Sequence, residues 1–88
     1  MTLTLNYCEG TTIDQMEQAV DSQRQALPPT ADGVDHWYLK WEDFGVVLDA
    51  YASGTIRVWA FPEDHTRSLS EFETRVQKHT GLQATYID

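Results

Sequence analysis

Little in this sequence staples, breaks or anchors a chain. Its single cysteine, Cys8, can form no internal disulfide, and no CxxC or His/Cys spacing is present to build a structural zinc site. An oxidising compartment is therefore not implied. Apolar runs stop well short of the roughly 20 residues that cross a bilayer. The opening stretch MTLTLNYCEG has neither the basic region nor the apolar core of a signal peptide. The expectation is a cytoplasmic protein with no membrane association. Lysine is the scarcest charged residue, with two against eight aspartates, and the 6 Lys plus Arg face 14 Asp plus Glu for a net charge of -8. Affinity for nucleic acid comes mainly from cations that neutralise phosphates, so direct nucleic-acid binding is not expected. A protein partner with a basic surface is, against the alternative that the acidity only keeps the chain soluble, as in proteins from salty environments.

Also missing are a glycine-rich phosphate loop, an HExxH or HxxxH pattern and a nucleophile elbow. His36, His65 and His79 fall at a strand start, in a loop and on a helix flank. His65 has Glu63 and Asp64 beside it, but sequence neighbours are not a catalytic constellation. Cys8 reads as a small packed residue rather than a nucleophile. No catalytic residue, metal or cofactor is expected, and a small enzyme or metal binder using His36, His65 or Asp49 ranks last among the readings.

What is present is enough for one domain spanning 1–88, globular in composition at 41% hydrophobic residues, with a thin core. Leu3, Leu5 and Tyr7 alternate with Thr2, Thr4 and Asn6, which predicts a half-buried strand. In TTIDQMEQAVDSQRQALPP the period changes. Ile13, Met16, Val20 and Leu27 recur at helical spacing, Thr12 and Gln15 form a capping box, and Pro28-Pro29 supplies the stop.

The stretch from Trp37 to Phe61 then holds seven of the chain's ten aromatics and reads as a three-stranded antiparallel meander. A three-residue loop at 52–54 with Gly54 left-handed sets Tyr51 opposite Thr55, Asp49 opposite Arg57, Leu48 opposite Val58, Val47 opposite Trp59 and Val46 opposite Ala60. A four-residue EDFG loop sets Trp41 opposite Val46, Leu39 opposite Leu48 and Trp37 opposite Ala50. One face becomes three apolar rows. The other carries His36, Tyr38, Lys40, Val47, Asp49, Tyr51, Thr55, Arg57, Trp59 and Phe61, with Arg57 held by an ion pair to Asp49 and Phe61 covering Gly45. Beyond Pro62, Ser68 with Glu71 or Ser70 with Glu73 offers a second capping box before Leu69, Phe72 and Val76 repeat at helical spacing up to Gly81. Ala84 and Tyr86 alternate with Thr85 and Ile87 as a last strand.

The order β-α-β-β-β-α-(β) is the two-layer α+β sandwich, with both helices packed on one face of the sheet. Crossovers running the same way across the sheet would put the helices together, and opposite directions would put one on each face. The first arrangement is favoured because Lys40, Asp49 and Arg57 sit among the aromatics of the second face, where burial under a helix would be costly. That face then becomes the candidate partner-binding surface: Tyr38, Lys40, Asp49, Tyr51, Arg57, Trp59 and Phe61, residue types that dominate binding hot spots. Ordinary cross-strand packing is the competing account, and it suffices for Val47 with Trp59. Asp14, Glu17 and Asp21 on one flank of the first helix form a second candidate, an acidic contact row, although such rows are commonly just solvated.

Small acidic α/β proteins of this order include some phage-encoded inhibitors of bacterial defence systems and some immunity proteins for toxins. That analogy is one of size, charge and topology. The function expected is a non-enzymatic protein-binding module, plausibly an inhibitor of a nucleic-acid-processing effector; the alternative is a homodimer paired through the uncovered sheet face.

Overall fold

The computed structural model describes residues 4–7, 12–28, 34–61 and 67–87. Eight elements follow in order: β1 (Thr4–Tyr7), α1 (Ile13–Val20), β2 (Gln25–Ala26), β3 (Asp35–Trp41), β4 (Phe44–Ala50), β5 (Ile56–Ala60), α2 (Arg67–Thr80) and β6 (Thr85–Ile87). The strands form one six-stranded sheet in the order β2-β3-β4-β5-β1-β6, every pair antiparallel. The fold is α+β, with the helices packed against the sheet.

The first helix starts where its capping box places it. The Thr12 hydroxyl accepts from the Gln15 N–H at 3.3 Å, and the Gln15 side chain accepts from the Thr12 N–H at 2.9 Å. It ends a full turn and more before Leu27. Asp21 takes the left-handed conformation at φ 54° and stops the helix, a position Asp tolerates because its short polar side chain bonds locally. The chain then turns onto the outer edge of β3. Gln25 and Ala26 pair with Tyr38 and Trp37, the Leu27 N–H donates to the His36 carbonyl at 3.0 Å, and the Ser22 hydroxyl donates to the Lys40 carbonyl. Leu27 is thus a strand-edge residue, and β2 is an element the helical spacing concealed.

The hairpin between β4 and β5 has the expected register, from Val46 opposite Ala60 to Asp49 opposite Arg57, with Gly54 at φ 92°. The hairpin between β3 and β4 does not. Glu42 and Asp43 make a two-residue turn in which Glu42 takes φ 52°, so Trp41 faces Phe44, Leu39 faces Val46 and Trp37 faces Leu48. Each expected pair is displaced by two residues. Side chains alternate with period two, so the faces survive the shift and only the rows change.

Both helices lie on one face, where a single core joins Ile13, Met16 and Val20 of α1 and Leu69, Phe72 and Val76 of α2 to Leu5, Leu39, Leu48 and Val58 of the sheet. The route differs from the one expected. The connection from β1 through α1 runs across the sheet to β2, and the connection from β5 through α2 runs the opposite way to β6. Because β1 and β5 are themselves antiparallel, reversing the direction of travel as well brings two crossovers of the same hand to the same side. Strand direction, not direction of travel alone, decides the layer.

The second helix also begins earlier than its serines suggest. Arg67 already lies in α2, which places Ser68 inside the first turn rather than at the cap; the residue before Arg67 lies outside the described residues. Ser68 is buried and its hydroxyl accepts from the Gly45 N–H at 3.3 Å, tying the helix to the sheet. Gly81, at φ 78°, closes the helix with its N–H on the Gln77 carbonyl at 2.7 Å. The final strand β6 pairs with β1, Leu5 opposite Tyr86.

Candidate functional site

The helix-free face is a set of cross-strand rows. His36, Asp49, Arg57 and Asn6 make one; Tyr38, Val47, Trp59 and Thr4 the next; Lys40 and Gly45 open the third, beside Phe61. Its large side chains are half-buried, while Lys40, Arg57 and Phe61 are exposed, Phe61 at 53%. Six of the seven residues expected to form a binding surface lie in or beside these rows, and Tyr51, just beyond β4, joins them through its ring under Arg57 while also lining the cleft beside α1.

Directed bonds hold this face together. Asp49, only 7% exposed, has one carboxylate oxygen 2.6 Å from His36 Nδ1 and accepts the Trp59 indole N–H on the other, also at 2.6 Å. Asp49 is thus engaged by His36 and Trp59, which corrects the expected ion pair with Arg57. The cause is the shorter turn: with four loop residues Tyr38 would have faced Asp49, whereas the two-residue turn brings His36 there. Arg57 instead lies over the Tyr51 ring, 5.2 Å from its centroid. Tyr38, rather than Phe61, lies over Gly45. A Cβ there would sit 2.9 Å from the Tyr38 hydroxyl and 3.0 Å from the Phe61 carbonyl, so glycine is required for the ring to lie flat on the strand. Phe61 packs edge-on against Tyr38 with centroids 5.4 Å apart.

The acidic row on α1 is not a free one. Asp14 binds the Arg24 guanidinium at 2.8 Å, and Glu17 accepts from the Arg24 backbone N–H at 2.8 Å. Asp21 is the left-handed cap that ends the helix, outside the helical backbone conformation that would align its side chain with Asp14 and Glu17. Arg24 also lies over Trp37, 5.0 Å from its centroid, so one arginine uses up most of the row. Sequence reading missed this arginine because it assigned residue 24 to the helix.

Other polar features belong to the frame. The Tyr7 hydroxyl and the Trp41 indole N–H are buried with no hydrogen-bond partner among the described residues. Burial first, then Glu73 and Tyr86, drives the Tyr7 pKa well above the ordinary tyrosine value; burial and Glu73 raise that of Tyr86, whose hydroxyl donates to Glu73 at 3.3 Å. A cleft of about 380 Å³ opens between the start of α1, Trp37 and the 51–55 hairpin. No cluster of three metal-ligating side chains occurs among the described residues, and no described helix is long and apolar enough to cross a membrane. Cys8 and His65 lie outside the described residues.

The face assembles aromatic area, two exposed cations, and an imidazole–carboxylate–indole chain that joins His36, Asp49 and Trp59. No known protein family, curated protein or solved structure matches this chain.

Proposed function

We propose that this chain is a non-enzymatic protein-binding module that docks through the helix-free face of its sheet. The observation that carries the reading is that both helices pack on one side, leaving Tyr38, Tyr51, Trp59 and Phe61 uncovered by either. Of these, Phe61 is exposed and the other three half-buried; solvent-reached aromatic area marks interaction surfaces, and Tyr, Trp and Arg are the usual anchors. The Asp49 bonds support it further, because rings fixed in advance lose little freedom on binding. The net charge of -8 draws the module toward partners with basic surroundings, and an inhibitor of a nucleic-acid-processing protein is the sharpest form of the role.

The test is face-dependent capture. Wild type, Tyr51→Ala and Phe61→Ala are immobilised after melting curves show each folded, and a partner retained by wild type should be lost by about tenfold or more in both variants. Sedimentation at several concentrations runs alongside. A monomer is expected; a tight dimer dispersed by the same substitutions would reassign the face to self-pairing.

A further inference from the structure

Among the described residues, the helix-free face exposes charge opposite in sign to the chain's net charge. Its one carboxylate among the described residues, Asp49, is nearly buried and bound to His36 and Trp59. Its exposed charged groups are the cations Lys40 and Arg57, and neither is ion-paired among the described residues. The exposed acids among the described residues lie off these rows: Asp14 on α1, Asp21 at its end, Asp35 in the register of the helix side of β3, and Glu42 and Asp43 in the hairpin turn, with Asp14 and Glu42 paired to arginines. At physiological salt, charges farther apart than about 8 Å are largely screened. The net charge therefore governs approach, while Arg57 and Lys40 govern contact.

Resting on the docking role proposed above, we infer that the face receives an apolar segment of a partner protein that carries carboxylates, one seated on Arg57 and a second on Lys40. Arg57 is built for the first: Tyr51 beneath its guanidinium orients a planar fork that matches a carboxylate in two parallel bonds. Lys40 lies two strands and four residues away, roughly 16 Å by the ~4.8 Å strand spacing and ~3.4 Å rise. Between them stand Tyr38, Val47 and Trp59. The complementary segment thus has two acidic residues separated by about five positions of strand or eleven of helix, with apolar residues between.

Other occupants fit less well. A second copy docked face to face would bring Arg57 and Lys40 against their own kind, with no exposed carboxylate on the face among the described residues to receive them. A single nucleic-acid strand would gain stacking on Trp59 and Tyr38, but two cations replace few counterions on a chain of net charge -8.

The experiment is selection of a randomised dodecapeptide library on the intact protein, counter-selected against Phe61→Ala. Arg57 is exposed, so Arg57→Glu should fold, and Arg57→Gln serves as the milder variant, both checked by melting curves. Enriched peptides should carry two acidic residues flanking an apolar centre. They should shift the Arg57 Nε–H and Trp59 indole resonances, and weaken tenfold or more on Arg57→Glu and less on Arg57→Gln. Enriched basic peptides that bind Arg57→Glu as well as wild type would overturn the inference and leave the docking role standing. Peptides that bind Phe61→Ala equally, or no enrichment at all, would overturn both. Oligo(dT) or oligo(U) that shifts the same two resonances at micromolar concentration would replace the acidic segment with a nucleic-acid strand.

Discussion

Trp41 and Trp59 stand on opposite sides of one sheet and are held by different forces. Trp41 is 5% exposed, packs on Phe44 and Phe72 with centroids 5.7 and 5.8 Å away, and leaves its indole N–H without a partner among the described residues. Trp59 is half-buried, and its indole N–H reaches the Asp49 carboxylate. Under the helices, buried area is large enough to absorb an unmade hydrogen bond that costs about 1 to 3 kcal/mol. Tyr7, fully buried with its hydroxyl unpartnered among the described residues, follows the same pattern. On the uncovered side there is less area to spend, and position is fixed by bonds with direction. A surface organised in that second way holds Trp59 in place with no helix packed over it.

The comparison breaks first if the two faces respond alike to truncation. Leu48→Ala should cost about 2 to 5 kcal/mol in chemical denaturation, while Tyr51→Ala should cost under roughly 1.5, since it opens no cavity. Equal losses would make the uncovered face a second core. Next is Gly45→Ala, where the new Cβ meets the Tyr38 hydroxyl and the Phe61 carbonyl; a loss of about 1 to 3 kcal/mol is expected. Tyr38→Phe should recover part of it in a double-mutant cycle, because the carbonyl clash remains.

Trp59→Phe sharpens the contrast by removing the donor and keeping most of the ring. It should cost about 1 to 2 kcal/mol, with the remaining bond to His36 limiting the damage.

Tyr7→Phe is the smallest effect at neutral pH and the mirror image of that result. No bond is lost, so stability should change by less than about 1 kcal/mol, with a gain as readily as a loss. Above pH ~10 the two proteins should part. An unfolded Tyr7 gives up its proton near the ordinary value of about 10, whereas the folded one retains it, so the unfolded state binds fewer protons and stability falls as pH rises. Tyr86 adds to this decline in the same direction. Melting wild type and Tyr7→Phe from pH 7 to 11 should show a shallower alkaline slope in the variant.

Local chemistry made much of this legible beforehand. The Thr12–Gln15 box, the left-handed Gly54 and the register it imposes, and the period-two division of Tyr38, Val47 and Trp59 from Leu39, Leu48 and Val58 each depend on residues within a few positions of one another. Side-chain alternation is indifferent to a two-residue slip, which is why the members of the candidate face were readable while their partners were not. Tertiary structure decided the rest. A positive φ at Glu42 chose the short turn and so gave Asp49 to His36; the need to cover the edge of β3 drew Gln25 and Ala26 out of a helical pattern; and the opposed directions of β1 and β5 sent both helices to one side. These are choices between strands distant in sequence, settled by which backbone groups find partners and which apolar faces meet, and no local window contains that information.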